Sequence, residues 1–153
     1  MTRVRIRRLA AHVTLPRYET GGAAGFDLSA SQDMVVQPGE VTLVPTGLVI
    51  EAPPNTFLGV FARSSTPLKR GLMVANGVGV VDPDYCGPHD EVKIEVYNFT
   101  ARPVHIRAGD RIAQGILIPA IRVEWDEAAE LRAESRGGFG ATGSSRVEPP
   151  AAD

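Results

Sequence analysis

From Val4 to Ala62 the chain alternates short apolar segments with turn residues, at intervals too close for any long helix. Arg3-Val4-Arg5-Ile6-Arg7 alternates at the period of a strand, and Val35-Val36, Val41 to Val44, Leu48 to Ile50 and Phe57 to Phe61 follow in quick succession. Gln37-Pro38-Gly39-Glu40 and Ala52-Pro53-Pro54-Asn55 read as turns between them. Val78 to Val81, Val92 to Val96, Val104 to Ile106, Ile112 to Ile118 and Ile121 to Trp125 continue the pattern. The sum is about ten strands, which favours a β-sandwich, jelly roll or barrel. Helix is expected over a turn or two at most, after Ser64-Ser65 and within Asp126 to Arg136, where Glu127 and Leu131 have helical spacing.

A chain of 153 residues can bury one proper core. We read residues 1–135 as a single β-rich domain. From Arg136 the composition changes to Arg-Gly-Gly-Phe-Gly-Ala-Thr-Gly-Ser-Ser, so residues 136–153 are expected to form a flexible C-terminal arm. No apolar run approaches the ~20 residues of a membrane span. Met1 to Arg8 carries four arginines but lacks the apolar core and cleavage site of a secretory signal. The expectation is a cytoplasmic protein with no membrane partner. A single cysteine, Cys86, rules out an intrachain disulfide and a thiolate metal cage. The net charge of −2 argues against coating a nucleic acid, so an anionic ligand must be held by a few placed cations.

Five segments carry candidate chemistry. In Ala24-Gly25-Phe26-Asp27-Leu28 one acid interrupts an apolar strand; it can be a turn acid, or a carboxylate that orients the water of a hard cation. Phe61-Ala62-Arg63-Ser64-Ser65 leaves a strand for a helical turn, where unpaired backbone N–H groups, serine hydroxyls and Arg63 could hold a di- or triphosphate; the plainer reading is an N-cap serine beside a surface arginine. Gly77 to Gly87 runs from valines into Asp82-Pro83-Asp84-Tyr85, a sequence that most simply makes a turn. Asn76, Gly77 and Gly79 add a second possibility, because small residues admit main-chain groups close to a planar base, and Asp82 could then serve as general base for water. In Asp110-Arg111-Ile112-Ala113-Gln114, Arg111 is most simply a salt-bridge partner, while Gln114 needs a hydrogen-bond partner that water or a metal's water shell would provide. Finally, Arg136-Gly-Gly-Phe-Gly-Ala-Thr-Gly suits a mobile lid, with Phe139 stacking on a base and Arg136, Thr142 and Ser144 meeting phosphate oxygens.

Together and in this order, from about Ala23 to Ser144, these segments resemble the five motifs of the trimeric deoxyuridine triphosphatases. The resemblance implies an all-β, jelly-roll-like (β-clip) subunit and a homotrimer with active sites shared at its interfaces. It implies hydrolysis of dUTP to dUMP and pyrophosphate with Mg²⁺, limiting uracil in DNA and supplying dUMP for thymidylate synthesis. By matching positions, Asp82 activates the attacking water and Tyr85 packs on the sugar. Asn76 and the backbone of Gly79, Val80 and Val81 read uracil, and Arg63, Ser64, Ser65 and Lys93 contact substrate. Asp27 and Gln114 support the metal through water, and Arg136, Phe139 and Thr142 belong to the lid.

The chain departs from the family pattern in three places. Arg63-Ser64-Ser65 stands where Arg-Ser-Gly is usual, Pro88-His89-Asp90 is an insertion after Gly87, and Arg136 lies only three residues before Phe139, which makes Arg132 a conceivable stand-in. The Arg-Ser-Ser variant also resembles the dCTP deaminases, in which a glutamate three residues before a strand-end asparagine carries deamination; Glu95 and Asn98 have that spacing here. A dCTP deaminase, or a bifunctional enzyme, is therefore the runner-up, and a non-catalytic nucleotide-binding β-domain the third reading. His12, His89 and His105 have no metal-ligand spacing.

Overall fold

The computed structural model describes residues 2–131. Within them eleven strands follow one another: β1 (Arg5–Arg8), β2 (Phe26–Ser29), β3 (Met34–Val36), β4 (Val41–Pro45), β5 (Leu48–Glu51), β6 (Thr56–Ala62), β7 (Leu72–Val74), β8 (Gly79–Val81), β9 (Lys93–Asn98), β10 (Val104–Ile106) and β11 (Arg111–Pro119). The one helical element among them is a single π-helical turn, Thr66–Arg70. The architecture is all-β and jelly-roll-like. Its compact unit runs to Arg122.

Every ladder is antiparallel. β2, β11, β6 and β8 form the largest sheet in that order, β4, β9 and β7 form a second, and β1–β5 and β10–β3 are two-stranded. In β9 the alternation Lys93, Ile94, Glu95, Val96, Tyr97, Asn98 buries every second side chain, as expected for a strand with one face on the core. Leu28, Leu58, Ile94, Val96, Ile106 and Ile112 are fully buried and join the sheets through one apolar cluster. In β11, Gly115 lets the Phe26 ring lie across the strand: a Cβ there would come within 2.5 Å of Phe26 Cε2.

Three elements differ from the sequence reading. Ile121 to Trp125 forms no strand, although it alternates; Ile121 and Trp125 are 92% and 90% exposed. Alternation supplies a face but no ladder partner, and none is present among the described residues. Residues 126–131 are likewise without helix. The short strand Leu72–Val74 is additional to the expected set, and it pairs with β9.

One buried polar residue ties the second sheet to its neighbours. Asn98 is fully buried, and its Nδ2 donates to the carbonyls of Val36 at 2.9 Å and Arg102 at 2.8 Å. Its Oδ1 accepts from the N–H and the hydroxyl of Thr100 at 2.9 and 2.8 Å. Asn98→Ala strands these partners in a dry site and is expected to cost about 2–4 kcal/mol. Urea unfolding should show a lower midpoint with an unchanged slope; an unaltered midpoint would show that the network is dispensable.

Candidate active site

The strand register assembles the first group of polar residues. β11 lies between β2 and β6, so Gln114 stands opposite Asp27 on one side and Phe61 on the other. Arg63, one residue beyond the end of β6, therefore reaches the same corner. Its Nε lies 2.7 Å from Asp27 Oδ1, and Arg111 Nη1 lies 3.0 Å from Asp27 Oδ2 and 3.1 Å from Glu19 Oε2. Asp27 is thus held between two guanidiniums, and Arg111 is a salt-bridge residue as its sequence setting suggests. Gln114 Nε2 donates to the Ala62 carbonyl at 3.0 Å, so its amide finds a protein partner. Its Oε1 faces Gly25, 3.1 Å from where a Cβ on that residue would stand.

Beside this corner is a cavity of about 600 Å³ lined by Arg63, Ser65, Lys69, Arg70, Asp110 and Arg111. The helical turn that shapes it is anchored by the buried Thr66 hydroxyl, which donates to the Ile112 carbonyl at 2.8 Å. The backbone of the turn offers less to an anion than its sequence suggested: the Thr66 N–H is already bonded to the Arg63 carbonyl at 3.0 Å, and Pro67 has no N–H. Ser65 occupies the N-cap position without a side-chain capping bond, so its hydroxyl is not spent on the helix. Cationic side chains dominate the cavity instead. Lys69 and Arg70 were not among the sequence candidates, yet they follow Ser65 by four and five residues, a spacing that a helical turn brings to one side.

The second group lies on the β8 segment. Asn76 and Gly77 make the turn between β7 and β8, with Gly77 at φ +72°. Gly79 pairs with Val60, and a Cβ on Gly79 would lie 3.1 Å from Val60 Cβ and 3.6 Å from Asn76 Nδ2. The missing side chain thus opens main chain beside the Asn76 amide. Val80 is exposed and Val81 half-buried. Asp82, exposed just past the strand, lines a cavity of about 720 Å³ with Asp84, Val80, Phe57 and Arg122. The Tyr85 N–H donates to the Asp82 carbonyl at 3.1 Å, and its hydroxyl reaches the Glu91 carbonyl at 3.4 Å, two residues before Lys93.

These two groups do not meet within one chain. β8 pairs antiparallel with β6 so that Val81 stands opposite Leu58, and Asp82 leaves at that end; Arg63 leaves the other. Five residues of strand separate the two exits, roughly 15–20 Å at the usual rise. Arg136, Phe139 and Thr142, with Arg132 and Ser144, lie outside the described residues. Glu95 is half-buried on β9, and its spacing partner Asn98 is fully committed to the structural network above, which leaves that asparagine no hydrogen-bonding capacity for a substrate. Among the described residues no three His, Cys, Asp or Glu side chains converge as a metal site. No helix there is long and apolar enough to cross a membrane.

A jelly-roll-like chain with a cation-lined corner at one end of a central strand and a glycine-opened, acidic turn at the other defines a class of all-β protein with two separate polar groups at opposite ends of one strand. Comparison with known proteins makes the class specific. The family model described as dUTPase matches residues 11–145. A deoxyuridine 5'-triphosphate nucleotidohydrolase of Desulfitobacterium hafniense is 46% identical over 137 residues, covering 86% of this chain and 88% of that protein. The crystal structure of dUTPase from Streptococcus mutans matches with a TM-score of 0.72 at 34% identity, over 78% of this chain and 98% of its own. The dUTPase of Staphylococcus bacteriophage 80alpha, solved with dUpNHpp, shares the fold at a TM-score of 0.82 and 21% identity, over 94% and 99% of the two chains. The chain belongs to the dUTPase family.

One of the four cations lining the cavity, Arg70, is paired with Asp110. Arg70 Nη1 lies 2.8 Å from its Oδ2, which also accepts the Arg107 N–H at 2.9 Å. The Arg70 hydrogen bond is the main reason its carboxyl is held below the ordinary value of 3.8, against an opposing effect of burial. A carboxylate with a depressed folded pKa contributes stability that is complete above the unfolded value and lost as pH falls through the folded one. Asp110→Asn should therefore lower stability by about 1–2 kcal/mol at neutral pH, with the gap to the parent closing in acid. Denaturant titrations from pH 7 downward check this; a gap independent of pH would show that shape and not charge is what Asp110 supplies.

Proposed function

We propose that the chain hydrolyses dUTP to dUMP and pyrophosphate at sites assembled between the copies of a homotrimer. The observation that carries this reading is the separation along β6: the cation-lined corner and the Asp82 turn are complementary halves of a triphosphate site, and one chain holds them too far apart to serve one α-phosphorus. A closed symmetric assembly brings the corner of one copy to the turn of the next. The monomer also leaves apolar surface for such contacts. On the outer face of the β4–β9–β7 sheet, Val41, Leu43 and Met73 are 56%, 52% and 46% exposed. Ile121 and Trp125 are candidates for pairing with another copy.

In this reading Asn76 and the main chain of Gly79, Val80 and Val81 bind the uracil edge, and the tight backbone excludes the thymine methyl. Tyr85 packs against the deoxyribose. Arg63, Ser64 and Ser65 hold phosphate oxygens, with Lys69 and Arg70 adding positive charge to the same cavity and Lys93 contacting substrate from the start of β9. Asp82 accepts a proton from the water that attacks the α-phosphorus in line as pyrophosphate leaves. Arg136, Phe139 and Thr142 close over the nucleotide. The residues at the corner fit Mg²⁺ in a particular way: one carboxylate already shared by two arginines and one amide oxygen are too few for a bare ion. They suit a hydrated ion that arrives on the polyphosphate and meets Asp27 and Gln114 through water. When bound, the ion offsets the negative charge of the phosphates. A cytoplasmic location accords with a role in the nucleotide pool.

The test is to incubate the purified protein and Mg²⁺ with dUTP, dCTP or dTTP while following pyrophosphate and ammonia separately. Pyrophosphate from dUTP alone is expected, and ammonia from dCTP would overturn the reading. Asp82→Asn should bind the nucleotide but lose turnover by about 10²-fold or more, and unchanged turnover would remove the role given to Asp82. Leu43→Glu places a charge on the outer sheet face and should yield a folded, inactive monomer by sedimentation. A fully active trimer would show that this face is not the interface.

A further inference from the structure

The segment between Tyr85 and Lys93 is braced at more points than a chain reversal needs. The Asp90 carboxylate accepts the Gly87 N–H at 2.7 Å, while the Asp90 N–H donates to the Gly87 carbonyl at 3.2 Å, so Pro88 and His89 sit in a closed loop. Gly87 permits that closure, since a Cβ there would stand 2.9 Å from Asp90 Oδ2. Glu91 follows and is fixed in turn. Its carboxylate accepts the Gly47 N–H at 2.7 Å, and the next N–H, of Val92, bonds the Leu48 carbonyl at 2.8 Å. Tyr85 spans the loop, tied through its N–H to the Asp82 carbonyl and through its hydroxyl to the Glu91 carbonyl. The backbone of the tyrosine is anchored at one end and its hydroxyl at the other, and with 43% of the residue exposed, surface is left open to a ligand.

We propose that Asp90 is a positioning residue for sugar discrimination. By closing the Pro88–Asp90 loop it fixes the N-terminal side of Glu91, while Gly47 and Leu48 fix the other, and through the Glu91 carbonyl it sets the angle of the Tyr85 ring. The inference rests on the proposed reading that Tyr85 faces the pentose. dUTP and UTP differ by one hydroxyl group on that sugar. Rejecting the larger sugar by contact requires a wall that does not yield, and a ring tethered at one end only would yield. Asp90 touches neither substrate nor the attacking water; its action passes entirely through the hydroxyl bond of Tyr85.

The experiment compares kcat/KM for dUTP and UTP in the full-length parent, Asp90→Ala, Asp90→Asn, Tyr85→Phe and Tyr85→Ala. Asn retains an acceptor for the Gly87 N–H, so Asp90→Asn should keep the parent ratio. Asp90→Ala should lower the dUTP-to-UTP ratio about tenfold, while the dUTP-to-dCTP ratio, set at Asn76 and Gly79, stays constant. Tyr85→Phe leaves the loop intact and removes only the tether, so it should shift the sugar ratio in the same direction, which keeps the test decisive if Asp90→Ala does not fold. A parent-like sugar ratio in folded Asp90→Ala or in Tyr85→Phe overturns the proposal, as does an equal loss in Asp90→Asn. An unchanged ratio in Tyr85→Ala would instead refute the placement of Tyr85 at the sugar, and a parent without dUTP turnover would refute the reading beneath both.

Discussion

The arrangement of this molecule depends on the pairing of β6 with β11 on one side and β8 on the other. β6 is the longest strand of the pair-forming centre after β11, and its middle is buried. Because both ladders are antiparallel and in fixed register, the ends of β6 determine where each functional segment leaves the sheet. Arg63 departs at the Ala62 end, beside Asp27 and Gln114. Asp82 departs opposite Leu58. A slip of one residue would turn every side chain of the strand to the other face, so burial of Leu58 and Val60 holds the register and, with it, the placement of the Arg63 corner and the Asp82 turn.

The electrostatics of the corner follow from the same pairing. With a net charge of −2, the chain has no general attraction for polyanions, and it concentrates cations locally. Arg63, Lys69, Arg70 and Arg111 line one cavity, and Asp27 and Asp110 each take arginine partners there. The carboxylates keep the guanidiniums in place at little desolvation cost, since all of these groups retain solvent contact. In the proposed reading, an incoming triphosphate would meet charges already oriented, which is the form of electrostatic help that needs no rearrangement when the ligand arrives.

Much of this was legible in the sequence because it rests on local chemistry. Short alternating runs and Pro–Gly turns gave the strands, and the order of the five polar segments pointed to the family. What was not legible depends on partners distant in sequence. Leu72–Val74 is a strand only because β9 lies beside it, and Ile121 to Trp125 alternates as well as any strand yet has nothing to pair with in the described chain. The sequence could not show that Gln114 would spend its amide on Ala62, or that Thr66 would bond back to Arg63 and leave the turn poorer in free N–H groups. Lys69 and Arg70 were readable in principle from their spacing after Ser65. The bracing of Tyr85 through Asp90 and Glu91 required coordinates, because it joins a tyrosine hydroxyl to a carbonyl across an inserted loop.

The central claim is that a working site takes its base from one copy and its phosphate-binding corner from another. Mixing two separately inactive variants tests it most directly: Asp82→Asn, which lacks the base, and Arg63→Ala, which lacks the corner arginine, unfolded and refolded together in equal amounts. Random assembly into closed trimers leaves about a quarter of the interfaces with both residues intact, so dUTP turnover should recover to about that fraction of the parent. If both residues serve a site within a single chain, no mixed assembly contains an intact site, and turnover would stay at the level of the variants alone.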